Sequence, residues 1–417
     1  MYSRSLLILI ILAGGMHDLA AQEDQPQIPA QLTIEAAKAL LRFNPQLQTK
    51  NLEIEVERAD IIEAEKYPNP TFSLGSEGLV LDSNRGPFLS RLQPSILFRQ
   101  EILTAGKRQK RVRVEQADAE IASIETADLH RRLLFDLKQV YYQVVLAQED
   151  LGIGREILEQ MEEVVRLNQA RFEQGEISGG ELRRTQAAQY PFFADVVNAE
   201  VQLQNAKTQL LALLGRTGFN QNFEAVDRFS ADFVPPPLAL LKEIAVRERP
   251  DLAAQRARVI RQASAIELEK ARSTPNIWAF GGYQRELGIG GPLIGIDMPL
   301  FVFNRNEGPI YRAQAEGRRE QSAARFKEIK VFKEVELAVQ QLGGTALRIA
   351  ALEGEYLEKA LQAREITESA YRLGEASLIE FLDAQRTYAE TVLLYNRTLY
   401  DSEISRAGLE LAIGEDL

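Results

Sequence analysis

Cysteine is absent from the 417-residue chain, which removes disulfides, thiolate metal sites and thiol nucleophiles together. Histidine is nearly absent too. Beyond the N-terminal segment only His130 remains, and with Met161 and Met298 it has no spacing suited to a set of metal ligands. The formal charge is −11, which argues against nucleic-acid binding, since phosphate contacts need clustered positive surface. No apolar run reaches the ~20 residues of a membrane-spanning helix. If such a chain enters a membrane, it does so as strands closed into a barrel. With 45% hydrophobic and 26% charged residues it is too apolar to be disordered.

Signatures of catalysis are missing as well. Ser76, in Gly75-Ser76-Glu77-Gly78, falls one residue short of a nucleophile elbow and lies inside a strand candidate. His130 stands on a long charged helix. Gly288, Gly290 and Gly291 sit between two strand candidates and open no helix, so a phosphate-cradling loop is not expected. No enzyme activity, cofactor or metal site is expected.

Residues 1–21 read as an export signal: Arg4, the apolar run Leu6 to Ala13, then Ala20 and Ala21 before Gln22. The remainder is two similar halves. Asn44-Pro45-Gln46-Leu47 answers to Arg249-Pro250-Asp251-Leu252, and Gly175-Glu176-Ile177-Ser178 to Gly374-Glu375-Ala376-Ser377. The steady offset of about 200 residues marks a duplication. The first repeat spans 22–215, a connecting segment 216–248, and the second repeat 249–417.

Each repeat reads as helix, two strands, very long helix, turn, helix. The first has a helix over 33–66, strands 71–82 and 92–103, a long helix over 107–173 and a helix over 181–214. Its strands are joined by Ser83-Asn84-Arg85-Gly86-Pro87. The second has a helix over 251–272, strands 277–287 and 292–303, a long helix over 308–372 and a helix over 378–413. Here Gly288-Ile289-Gly290-Gly291 is the expected turn. About a dozen residues let a tilted strand cross a bilayer. Leu133, Leu137, Val140, Val144, Ala147, Leu151, Leu158, Met161, Val165 and Phe172 repeat at 3.5 residues, with Gly154 and Asn168 in the two remaining slots. That period is a coiled-coil seam, and Phe332, Val335, Val339, Leu342, Ala346 and Ile349 carry it in the second half.

A 67-residue helix is about 100 Å long, and only two shorter helices stacked end to end could match it. Four strands cannot close a membrane barrel, and an open edge is not tolerated in lipid, so several copies must share one barrel.

The order of elements resembles the TolC-like outer-membrane efflux protein family. Gln100-Glu101-Ile102 with Gly106-Lys107-Arg108 is similar to that family's exit from the second strand. Pro299-Leu300-Phe301-Val302-Phe303-Asn304-Arg305-Asn306-Glu307-Gly308 resembles the heavy-metal-efflux (CzcC-like) branch. Tyr371-Arg372-Leu373-Gly374-Glu375 leading into Phe381-Leu382-Asp383-Ala384-Gln385-Arg386 is the most specific stretch. The resemblance implies a mostly α fold with a small β part: a long periplasmic α-helical barrel below a trimeric 12-stranded transmembrane β-barrel. It implies a homotrimer in the outer membrane of a Gram-negative bacterium, working with a periplasmic adaptor (membrane-fusion) protein and an inner-membrane pump of the resistance-nodulation-division class. Such a duct passively conducts metal cations or small toxic compounds. Without cysteine a lipid anchor is not expected.

By the same resemblance, Tyr371, Ile379, Asp383 and Arg386 line a periplasmic gate. Spacing alone gives Asp383 and Arg386 another reading, an exposed ion pair worth a few tenths of a kcal/mol. The tip residues Gly175, Glu176, Ser178, Gly374, Glu375 and Ser377 suit helix ends and caps, and the family adds adaptor docking there. The basic run Lys107, Arg108, Lys110, Arg111 and Arg113 fits either anionic lipid head groups or a solvated helix face. Two other functions remain open: a type I secretion channel, and a non-transporting periplasmic coiled-coil protein, which leaves the four strands unexplained.

Overall fold

The computed structural model describes residues 28–79, 92–216, 222–230, 233–286 and 289–417. The expected export signal (1–21), the turn Ser83–Pro87 and Gly288 lie outside them. The first repeat opens with a two-residue strand β1 (Gln31–Leu32), helix α1 (Ile34–Leu40), a tight turn Leu41–Phe43 and helix α2 (Pro45–Glu65). A single helix over 33–66 was expected. Pro45 has no N–H to continue it, and Asn44 begins the chain afresh by accepting from the Gln46 and Leu47 amides at 2.8 and 3.2 Å. Strands β2 (Thr71–Leu79) and β3 (Leu92–Ile102) lead into α3 (Lys107–Glu173), 67 residues without a break. The helix expected over 181–214 is two helices, α4 (Gly179–Ala188) and α5 (Tyr190–Leu213), parted at Gln189 just before Pro191.

A short strand β4 (Glu224–Ala225) pairs in parallel with β1, and helix α6 (Leu238–Glu248) closes the connecting segment. The second repeat follows as α7 (Pro250–Arg272), β5 (Ile277–Glu286), β6 (Ile289–Asp297), α8 (Glu307–Ala351), α9 (Leu357–Leu373) and α10 (Leu378–Ile413). A five-residue π-turn, Leu352–Tyr356, joins α8 to α9, so the helix expected over 308–372 carries one widened turn.

Strand β6 also departs from expectation, starting three residues early and ending at Asp297 instead of Phe303. Gly290 and Gly291, expected in a turn, pair with Arg285 and Gln284 inside the ladder. Glycine is needed there because Tyr283 lies across the strand: a Cβ on Gly290 would stand 1.6 Å from its hydroxyl. Beyond Asp297, Pro299 offers no ladder donor.

The long elements form an arc. Helix α3 packs against α2 and α5 on one side and against α7 and α10 on the other, and α8 packs on the far side of α7 and α10. The shorter helices are stacked end to end. At the first joint Asn44, which starts α2, donates from Nδ2 to the Leu213 carbonyl at the end of α5 at 2.7 Å. At the second, Arg249, just before α7, donates to the Ala412 carbonyl near the end of α10 at 2.9 Å and pairs with Asp251 at 2.7 Å. One side chain at each joint thus satisfies helix-end groups that would otherwise stay open. Hydrophobic cores surround the joints. Leu41, Phe43, Leu137, Tyr141, Leu210 and Leu214 fill the first, and Leu241, Leu252, Val331, Val335, Leu409 and Ile413 the second.

The sheet order is β2-β3-β5-β6, antiparallel throughout. Its more exposed face is apolar, with Phe72, Leu74, Ile96, Phe98, Ile102, Ile294 and Ile296. Sheet and helical arc each end in two free sides. Among the described residues β2 and β6 have no strand paired at their outer edges, while α2 (Leu52, Val56, Ile62) and α8 (Tyr311, Phe326, Ile329) expose apolar side chains. Among the described residues no helix is long and apolar enough to cross a membrane.

Candidate functional site

The end of the arc far from the sheet consists of two helical hairpins, α3–α4 and α9–α10, built to one plan. Gly175 and Gly374 both adopt φ +79, a left-handed conformation that stops the helix. The next residue folds back in each case: the Glu176 amide donates to the Arg171 carbonyl at 2.8 Å, and the Glu375 amide to the Ala370 carbonyl at 2.8 Å. Ser178 and Ser377 then start the returning helices by accepting from the Glu181 and Glu380 amides. Ser377 N–H bonds to the Glu380 carboxylate in return and holds it below its ordinary pKa. All six expected tip residues are exposed, and nothing lies within 4 Å of where a Cβ would sit on either glycine.

Just above the tips the hairpins are bolted together. Ile157, Met161, Val164, Phe192, Leu378 and Phe381 make an apolar cluster that also takes in Tyr371, whose ring stacks on Phe381 at 5.4 Å. Into this cluster Asn168 brings a polar layer. It is fully buried and donates to the Thr185 hydroxyl at 2.8 Å and to the Tyr371 hydroxyl at 2.6 Å, while its own Oδ1 has no partner. Two turns higher lies a second layer. Gln160 accepts from Gln385 at 3.0 Å and from Arg364 at 3.3 Å, and Arg364 covers the Tyr388 ring at 4.4 Å. Here too Gln385 Oε1 and Arg364 Nε lack partners. Buried polar atoms left half-satisfied weaken a contact while fixing its register.

The four expected gate residues are not brought together. Tyr371 is only 4% exposed, in the apolar cluster between the hairpins, where it receives the Asn168 hydrogen bond. Ile379 is 70% exposed and borders the groove between the two tips. Asp383 and Arg386 are exposed, and among the described residues neither has an ion pair or hydrogen bond, so the ion pair that spacing suggested does not form. Asn168, Thr185, Gln160, Gln385 and Arg364 were missed as functional candidates. The polar Asn168 in an apolar seam slot was the visible signal.

The seam is buried at Leu133, Leu137, Val144, Ala147, Leu151, Met161 and Asn168, as expected, and drifts elsewhere. Tyr141, Ile157 and Val164 are buried where Val140, Leu158 and Val165 were expected, and Phe172 is 42% exposed. Helix α3 packs on two sides, so its contact stripe is wider than one seam and drifts with the 3.6-residue turn.

Four of the five residues of the basic run have partners within the chain. Arg108 donates to the Glu65 carbonyl, Arg111 to the Ala64 and Lys66 carbonyls, and Lys110 to the Glu267 carbonyl. The carbonyls of Ala64, Glu65 and Lys66 are the last of α2, the negative end of that helix, where cations stabilise it, while Lys110 meets α7 more than a turn before its end and also lies 3.9 Å from the Glu267 carboxylate. Lys107 is bound to Thr104, Thr274 and Asn276. Among the described residues no group of three or more His, Cys, Asp or Glu is placed to hold a metal ion.

A model of the outer membrane efflux protein family matches residues 36–216 and 241–415. The chain belongs to that family. Among its curated relatives is the cobalt-zinc-cadmium resistance protein CzcC of Cupriavidus metallidurans, 26% identical over 368 residues, which cover 87% of this chain and 85% of the relative. Solved structures with the same fold include CusC (TM-score 0.76, 18% identity, 93% of this chain and 94% of that one). CmeC of Campylobacter jejuni has a TM-score of 0.74 at 16% identity, covering 94% of this chain and 90% of that one. Both matched segments of the outer membrane efflux family model coincide with the two repeats, so the arc, the sheet and the hairpins are one family fold, mostly helical with a small β part.

Proposed function

We propose that this chain is the outer-membrane exit duct of a tripartite efflux pump, closed as a homotrimer and carrying out no chemistry of its own. The observation that carries this reading is the double edge. Four strands with an apolar outer face and four helical rods form arcs in the same order, each ending in two free sides. Three copies joined side to side make twelve strands, enough to close a barrel and leave no edge in lipid. The helical arc then closes beneath it as a tunnel on the order of 100 Å long, standing in the periplasm of a Gram-negative bacterium.

The hairpin tips, Gly175, Glu176, Ser178, Gly374, Glu375 and Ser377, are the docking points for a periplasmic adaptor, behind which an inner-membrane pump supplies the energy. Ile379 and the unpaired Asp383 and Arg386 face the axis as the gate, where their missing partners come from neighbouring copies. Tyr371 contributes from behind by holding the hairpins together through Asn168. Metal cations or small toxic compounds are the cargo, a reading supported by the name of the cobalt-zinc-cadmium resistance relative.

The test is purification from membranes. The protein should need detergent, migrate as a heat-modifiable trimer and conduct ions in a planar bilayer. A folded monomer stable in water without detergent would end this reading.

A further inference from the structure

Strand alternation places the chain's single tryptophan on an unexpected side. Along β5, Ile277, Ala279, Gly281 and Tyr283 share the apolar face, and Trp278 and Phe280 point the other way, with Arg99, Glu101 and Asp297. If the apolar face meets lipid, Trp278 faces the lumen, where barrel interiors are usually polar. Two neighbouring rungs on that side are informative. In the upper one Arg99 lies over the Phe280 ring, 5.9 Å from its centre, and pairs with Asp297 at 3.4 Å. The ring lies flat because Gly295 opposite leaves room; a Cβ there would stand 2.2 Å from Cζ. An aromatic ring beside a carboxylate is therefore already cradling a cation, one supplied by the chain itself.

In the lower rung Trp278 is paired with Glu101 on one side and Asp297 on the other. Among the described residues no cation lies over the indole and its N–H has no hydrogen-bond partner. Glu101 accepts from the Asn276 amide at 2.6 Å through one oxygen. Asn276 in turn receives Lys107, so the nearby ammonium is already engaged.

We propose that the Glu101–Trp278–Asp297 rung is a lumenal contact station for organic cations, an ammonium or guanidinium group on passing cargo. A guanidinium or an alkylated ammonium suits an aromatic face because little hydration has to be stripped from it. The proposal rests on the duct reading above, since only a closed barrel makes this side a lumen.

The single tryptophan makes the test direct. In the protein reconstituted into liposomes, quenching of its fluorescence by the cation N-methylpyridinium is compared with quenching by neutral acrylamide. Each is normalised to free N-acetyltryptophanamide. The cation should quench about threefold better, and Glu101→Gln with Asp297→Asn should bring the two level, while brominated lipid leaves the emission unchanged. Equal quenching in the unaltered protein, an excess that survives both substitutions, or quenching by brominated lipid would each overturn the proposal. An Ile294→Trp reporter in a Trp278→Phe background separates the two readings. Brominated lipid should quench it. If it does while Trp278 shows no preference for the cation, the contact station alone is wrong; if it does not, the barrel falls and the station with it.

Discussion

Replacing Tyr371 by phenylalanine removes one oxygen from the layer that bolts the hairpins together. The stacking on Phe381 stays, since the ring is unchanged. The loss is the 2.6 Å hydrogen bond from Asn168, whose Oδ1 is already without a partner. A buried neutral hydrogen bond contributes about 1 kcal/mol net. If three copies open together, the closed state loses about 3 kcal/mol, or about 150-fold in the closed-to-open ratio. Single-channel recording in planar bilayers reads this as longer or more frequent high-conductance periods. Thermal stability of the solubilised protein serves as the control and should fall only slightly, because the cores at the joints are untouched. Unchanged conductance in Tyr371→Phe alongside reduced thermal stability would refute the reasoning and leave the layer as packing alone.

Valine at Gly175 or Gly374 should block efflux in a susceptibility assay while the trimer persists. The space is open, but a left-handed residue with a side chain costs about 1–2 kcal/mol and reshapes the tip; loss of the trimer would argue for a purely structural role. At the second joint, burial pushes the Asp251 carboxyl up, but hydrogen bonds from Arg249 and Lys327 outweigh it and hold the group well below the usual carboxylate range. Its contribution is therefore complete above about pH 4, the unfolded value, and disappears as the pH falls through the lower folded value. Asp251→Asn should lower stability at neutral pH by about 3 kcal/mol and flatten the acid limb of stability against pH, followed by circular dichroism.

Element order and the end-to-end stacking of the short helices were legible because they depend on period and length, which the sequence carries directly. The long helix Lys107–Glu173 announces itself through an uninterrupted apolar period and the lack of proline. What was not legible depended on neighbours. Gly290-Gly291 has turn composition, and only its pairing with Arg285 and Gln284 on the adjacent strand makes it strand. Pro45 and Pro191 were visible, yet the helices read through them because period alone does not say whether a proline starts a new helix. Tyr371 lies in the most family-specific stretch, but its burial depends on the cluster it joins and on Asn168, 203 residues away in sequence. The basic run after β3 carried charge without direction; the carbonyl end of α2 and the Glu267 side of α7 supplied it.

The two end-to-end joints have a mechanical consequence. Asn44 meets Leu213 beside the Leu137 stretch of α3, and Arg249 meets Ala412 beside the Val331–Val335 stretch of α8. With the repeats offset by about 200 residues, both seams fall at one height, and each cut stave lies against an uncut one. Bending loads pass through the unbroken staves, while the cut ones are fastened at that level by a few hydrogen bonds and by the apolar cores around them. In the proposed closed duct these joints would lie in a single ring, each braced by a continuous helix beside it.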